Sequence, residues 1–137
     1  MKAKSTVIET RAAGEDYQVI TLKKDSKACR RKPCPDCPWR KDAVGEFPAE
    51  AFRHSANTSY DMSQKVFACH DSGVDHAATC AGFILRGADH NLAIRMAYFR
   101  DEIPEVTDGG HELFSNYRDM AIANGVSEDD PILGPCR

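Results

Sequence analysis

The sequence of 137 residues has no long hydrophobic run and no large excess of either charge. No apolar segment approaches the about 20 residues that a membrane-spanning helix needs, so we expect no membrane association. The first residues lack the apolar stretch of a secretory signal, and we therefore expect a cytoplasmic protein. A formal net charge of -3 excludes a uniformly basic nucleic-acid binder, although it leaves room for a local basic patch.

Cysteine, by contrast, is abundant for a chain of this length. The six cysteines are Cys29, Cys34, Cys37, Cys69, Cys80 and Cys136. Disulfide frameworks belong to oxidising compartments, and nothing in the sequence directs export. Because clustered thiols in a reducing compartment are more often metal ligands, the sequence favours a metal site over three disulfides.

The length and a hydrophobic content of 42% fit one domain with a modest core. The patterns predict a small single-domain α+β protein in three parts. Residues 1–28 form an N-terminal β-hairpin or arm, with strands over 5–11 and 17–22 joined by a turn. Residues 29–100 form a cysteine-clamped metal-binding core with an irregular centre, and residues 101–137 form an acidic C-terminal helix and tail.

Local patterns place most of the helices in the second half of the chain. They predict helices over 47–54, 80–85, 91–99 and 111–124, and an extended segment over 65–69. In the third helix Leu92, Met96 and Phe99 share one face, which we expect to lie in the core. The fourth helix carries a second apolar stripe that includes Tyr117 and Met120, and we expect this stripe to be buried as well.

The strongest chemical signal is the Cys34-x2-Cys37 pair in a proline-rich turn. A tight turn of this spacing brings both sulfurs to one ion, and Cys69 and Cys80 supply the two further ligands that a tetrahedral site needs. His70 competes with Cys69, because adjacent residues of an extended strand point to opposite faces. We favour the cysteine, since the other predicted ligands are thiolates.

The spacing does not identify the metal. We expect structural zinc, with an iron–sulfur cluster as the alternative. Cys29-x4-Cys34-x2-Cys37 matches the first three ligands of a plant-type two-iron cluster, but the intervening Arg30-Arg31-Lys32-Pro33 is bulky and basic. A four-iron cluster on the four cysteines named above escapes that objection. Whether Cys29 or Cys136 joins the site stays open.

Charge is distributed unevenly along the chain. The segment Lys23–Lys41 carries eight basic residues against two acids, whereas residues 101–130 carry nine acids against one base. The basic segment is a candidate surface for nucleic acid or for a protein partner. Alternatively, the two segments attract each other within one molecule.

Several motifs follow one another in a recognisable order. They are Cys34-x2-Cys37-Pro38-Trp39-Arg40, Gly45-x-Phe47-Pro48, Phe67-Ala68-Cys69-His70, Cys80-Ala81-Gly82-Phe83 and Asn91-Leu92-Ala93-x-Arg95. This order resembles an uncharacterised family of small bacterial and phage cysteine-rich proteins with no known activity. The resemblance implies that the four cysteines act together and that the protein is a phage or prophage product. It also implies that Trp39, Arg40 and His70 lie nearby, where they cover the metal or contact a partner.

Four thiolates leave no open position on a metal ion, so the pattern favours a binding or regulatory module over an enzyme. An iron–sulfur protein with a redox or sensor role is the alternative. An enzyme that uses a metal-bound water would need His70 as a ligand and one open position. No Ser–His–Asp order, phosphate loop or pair of carboxylates supports hydrolysis.

Overall fold

The computed structural model describes residues 6–12, 18–23, 28–69 and 77–137. Strand β1 (Thr6–Ala12) pairs antiparallel with strand β2 (Gln18–Lys23), with a register shift between Val7 and Glu9. The predicted turn between them falls on residues outside the described ranges, so the hairpin itself stays a prediction. The rest of the described chain is a small single domain with little strand.

Four α-helices occur in the described part of the chain. They are α1 (Ala49–Ser55), α2 (Ala81–Arg86), α3 (Leu92–Phe99) and α4 (Tyr117–Ala123), with short 3-10 turns at Lys41–Ala43, Ala56–Ser59 and Pro131–Leu133. The first three lie where the sequence predicts them. The predicted start of α4 is wrong, because the segment before it runs extended beside Trp39–Lys41. The helix begins only after Asn116, whose side chain accepts from the backbone N–H of Asp119 and caps it.

The core is built around Trp39, which is fully buried. Its ring meets Phe67 and Tyr117 edge-on at centroid distances of 5.9 and 5.8 Å, a favoured aromatic geometry. The Tyr117 hydroxyl donates to the Phe52 carbonyl at 2.6 Å, which ties α4 to α1. The predicted stripe of α4 is therefore buried as expected.

The predicted inner face of α3 is wrong. Met96 and Phe99 are 39% and 86% exposed, and Ile94 on the opposite side of the helix is buried. The cause lies at the N-cap, where the buried Asn91 amide donates to two backbone carbonyls and its oxygen accepts from the Ile94 N–H. This anchor sets the rotation of a short helix, so that Ile94 faces inward and the larger apolar stripe faces outward.

Candidate metal centre

Three short segments run side by side and bring distant cysteines together. Thr79 is bridged to Cys29 in parallel and to Ala68 antiparallel. The Cys69 N–H donates to the Ala78 carbonyl at 2.6 Å, and the Cys80 N–H donates to the Phe67 carbonyl at 2.9 Å. These hydrogen bonds place Cys69 next to Cys80, the residue before α2, although ten residues lie between them in the sequence.

The register of these segments decides which cysteines share a face. Ala68 and Thr79 are bridged to each other and lie on one face. Side chains alternate along an extended strand, so the next residues, Cys69 and Cys80, both lie on the opposite face. Cys29 pairs directly with Thr79 and lies on the other face. The next residue, Arg30, returns to the cysteine face, and its Nε donates to Cys69 Sγ at 3.2 Å. Cys29 is thus directed away from the other cysteines.

The Cys34–Cys37 segment forms the predicted tight turn. The Cys37 N–H donates to the Cys34 carbonyl at 3.1 Å, and the Arg40 N–H donates to the Cys37 carbonyl at 3.0 Å. Cys37 Sγ lies 3.7 Å from Cys80 Sγ, and Cys37 is also hydrogen-bonded to the Cys34 side chain. The cysteines at 34, 37, 69 and 80 are all buried, with exposures of 7% or less.

The surroundings of Cys37 keep its thiol protonated without a metal. The Cys34 hydrogen bond lowers the pKa of Cys37, but the hydrogen bond to Cys80, burial and the charge of Cys80 raise it. A backbone N–H bond from Trp39 lowers it again, and the resulting pKa is about 12. A metal ion bound here must displace this proton, as metals do at coordinating thiols.

The sulfur spacing can be compared with the spacing that a metal requires. Four ligands at about 2.3 Å around a tetrahedral zinc ion lie about 3.8 Å from one another, and the Cys37–Cys80 distance is 3.7 Å. In a four-iron cluster each cysteine binds a different iron, so the sulfurs lie further apart. Among the described residues, however, no group of three or more His, Cys, Asp or Glu side chains is arranged to hold a metal. A complete site therefore needs rotation of further side chains towards the close pair.

Trp39 covers the inner side of the cysteine turn and is not a surface anchor. The ring packs so closely on α2 that a Cβ at Gly82 would lie 2.5 Å from Trp39 Cβ, and a Cβ at Gly87 would meet the far end of the indole. In the sequence, the only sign of this close packing is a pair of glycines, one near the start and one directly after the end of a short helix. Trp39 Nε1 is buried and has no hydrogen-bond partner.

Arg40 lies beside the site but does not contact a sulfur. Its guanidinium donates to the Cys34 carbonyl at 3.3 Å and pairs with Asp42 at 2.8 Å. The arginine at a sulfur is Arg30, which sequence reasoning missed because only the strand register brings it to Cys69. His70 lies outside the described residues, as does His76.

The basic segment is partly neutralised within the molecule. Lys41 Nζ pairs with Glu112 at 3.0 Å, and the Thr107 N–H donates to the Arg31 carbonyl at 2.9 Å. The acidic segment thus runs along the basic one, which favours attraction within the molecule. Lys24 and Lys27 lie outside the described ranges.

Cys136 is held by other elements. It is bridged to Tyr60, and its Sγ donates to the Ala56 carbonyl at 3.7 Å. Burial raises the pKa of Cys136, the Arg118 charge lowers it, and the result is about 11. All six cysteines fall within the described ranges and are present as thiols, not disulfides.

In the described part of the chain, no helix has the length and apolar character required to cross a membrane. Neither the curated proteins nor the solved structures yield a significant match. A family model matches residues 29–137, a range that includes all six cysteines, and the chain therefore belongs to DUF6283, a family of unknown function.

Proposed function

We propose that this protein binds one structural zinc ion through Cys34, Cys37, Cys69 and Cys80 and acts as a binding or regulatory module. The observation that carries the proposal is the 3.7 Å separation of Cys37 Sγ and Cys80 Sγ, with Cys34 hydrogen-bonded beside them. This one distance is close to the spacing of two ligands on a tetrahedral ion, and the other two buried thiols would have to rotate towards the pair to complete the site.

The chain's own residues prepare the site in three ways. The turn at Cys34–Cys37 presents two sulfurs, and the Trp39 backbone N–H donates to Cys37, which favours its thiolate. Arg30 places a positive charge at Cys69 Sγ and offsets part of the negative charge of a four-thiolate site. The buried Trp39 ring excludes water from the inner side of the turn.

The main consequence of a bound zinc is stabilisation of the fold, because the ion links three separate segments of the chain. The four ligands come from the proline-rich turn, the Phe67–Cys69 segment and the start of α2, and structural zinc contributes about 10–16 kcal/mol in small peptide sites at neutral pH. Four thiolates leave no position for substrate or water, so we assign no catalytic role. The cytoplasmic location is proposed on the absence of a secretory signal pattern in the sequence, and the bacterial or phage origin on the sequence motifs.

Metal and acid-labile sulfide content of protein purified without oxygen tests this proposal. We expect one zinc per chain, no sulfide and no visible colour. Cys37→Ser should lose the zinc, whereas the matched variants Cys136→Ser and Cys29→Ser should keep it, because the first is held elsewhere and the second faces away. Iron with matching sulfide would replace zinc by the iron–sulfur alternative. Protein without any metal, or zinc that survives Cys37→Ser, would contradict the site.

A further inference from the structure

The outward face of α3 carries an unusual set of exposed side chains. Tyr98 and Phe99 are 55% and 86% exposed, and Met96 beside them is 39% exposed. Arg95 and Phe99 are one helical turn apart and therefore neighbours on the helix surface. Two aromatic rings with open faces at the end of one helix mark this surface as a contact site for a partner.

Three arginines, at the end of α2, within α3 and directly after α3, are not neutralised. Arg86, Arg95 and Arg100 are exposed, and no carboxylate of the described residues pairs with any of them. Some other bases are paired, since Arg53 contacts Asp130 at 2.8 Å and Lys41 contacts Glu112 at 3.0 Å. The three arginines therefore leave positive charge near α3 available to a partner, as the exposed Arg31 and Lys32 do in the basic segment.

A cavity of about 340 Å³ lies beside this face, between α2 and α3. It is lined by Arg95, Tyr98, Asp89, Ile84 and Ala88. These residues provide one positive group, one aromatic ring, one negative group and two apolar side chains. The Asp89 carboxylate repels a phosphate. It accepts hydrogen bonds from the amino or ring N–H groups of a nucleobase, so a base suits the cavity and a phosphate does not.

We propose that the α2–α3 surface binds single-stranded nucleic acid. One base lies in the cavity against Tyr98, the next stacks on Phe99, and Arg95 and Arg100 contact the phosphates between and beyond them. Stacking platforms combined with positive charge are the usual means of binding single strands. The inference deepens the proposed function, on which it rests, by giving the binding module a partner class; it moves the contact from the Lys23–Lys41 segment to α3.

A second copy of this chain is a less suitable occupant. The midpoint of α3 lies between Arg95 and Met96, so a twofold axis there would set Arg95 beside the partner's Arg95. Like charges at such a distance are unfavourable, and no described acid lies on the outward stripe to separate them. A polyanion satisfies the same arginines without this conflict.

Fluorescence anisotropy with a labelled oligothymidine of about 16 nucleotides tests the proposal. Two phosphate contacts, from Arg95 and Arg100, predict a slope of log affinity against log salt of about -1.4, equivalent to a roughly 7-fold loss of affinity between about 50 and 200 mM salt. Duplex DNA of the same length should bind more weakly, because its bases are not available for stacking. Zinc content and melting temperature are measured on every variant, which separates failure of the metal site from failure of the surface.

Paired variants locate the contact. Phe99→Ala should weaken binding at least about 5-fold through the lost stacking and should leave zinc content and melting temperature unchanged, since the ring is exposed. Val44→Ala, which shortens an exposed apolar side chain that does not line the cavity, is its control and should bind normally. Arg95→Gln should reduce the salt slope by about 0.7, whereas Lys32→Gln, the loss of one charge from the Lys23–Lys41 segment, should not.

Four results would overturn the inference. They are absence of binding by zinc-loaded protein, binding insensitive to salt, equal binding by Phe99→Ala and wild type, and loss of binding in Lys32→Gln but not in Arg95→Gln. Self-association that Phe99→Ala abolishes, in protein that does not bind the oligonucleotide, would assign the face to a second copy instead.

Discussion

Replacing Gly82 with alanine tests how α2 is positioned over the cysteine site. A Cβ at this position lies 2.5 Å from Trp39 Cβ and 2.7 Å from Trp39 Cγ, whereas non-bonded carbon atoms are best placed about 3.5–4.0 Å apart. Trp39 is fully buried and fixed by its neighbours, so α2 must move outward by about 1 Å to restore contact distance. Because α2 follows Cys80 directly, this movement also separates Cys80 Sγ from Cys37 Sγ.

The size of the effect follows from two opposing terms. Overpacking a buried contact costs about 1–3 kcal/mol, and alanine is favoured over glycine inside a helix by at most about 1 kcal/mol. We expect a net loss of about 1–2 kcal/mol in the free energy of unfolding, which corresponds to roughly 4–8 °C in melting temperature for a domain of this size. Zinc affinity should fall as well, because two ligands no longer have the spacing of one ion.

Urea unfolding followed by tryptophan fluorescence measures the effect directly, since Trp39 is the single tryptophan of the chain. A competition titration with a chromogenic chelator measures zinc affinity in the same samples. Gly134→Ala is the matched control, because its Cβ would approach only the Pro131 carbonyl at 3.4 Å. If Gly82→Ala unfolds at the wild-type urea concentration and keeps the wild-type zinc affinity, the packing of α2 on Trp39 is not as described.

Three further predictions concern a cap, a thiol and the metal. Asn91→Ala should lower the free energy of unfolding by about 2–4 kcal/mol, since it leaves buried carbonyls without donors. Asn116→Ala, which removes a more exposed cap, should lower it by about 1 kcal/mol. Equal losses for the two variants in chemical denaturation would contradict the anchoring of α3. At about pH 8 the Cys136 thiolate fraction should be about 100-fold below that of an ordinary thiol, because its pKa is about 11 against 9.0, so alkylation followed by mass spectrometry should be slow until the protein is unfolded. The melting temperature of zinc-loaded protein should fall as the pH drops from about 7 to 5, because protons compete for the thiolates, and chelator-treated protein should melt lower at neutral pH; identical melting curves with and without chelator would contradict a structural metal.

Much of the local structure could be predicted from the sequence. Proline and helix formers after Phe47, glycine after Arg86 and asparagine before Leu92 mark the positions of α1, α2 and α3, because caps and breakers act within one turn. The start of α4 could not be predicted in this way. Residues before Asn116 have helical periodicity, but hydrogen bonds to the Trp39–Lys41 segment hold them extended, and this partner is distant in sequence.

The cysteine site also has a part that the local sequence predicts and a part that depends on tertiary contacts. The sequence by itself determined the Cys34-x2-Cys37 turn, since this turn follows from short-range spacing and residue type. Only the tertiary structure decided that Cys80 meets Cys37, that Cys29 faces away and that Arg30 rather than Arg40 contacts a sulfur. It also turned Met96 and Phe99 outward, because the Asn91 anchor and not the helix's own pattern sets the rotation of α3. Register and rotation depend on contacts between remote segments, and such contacts form only when the chain is folded.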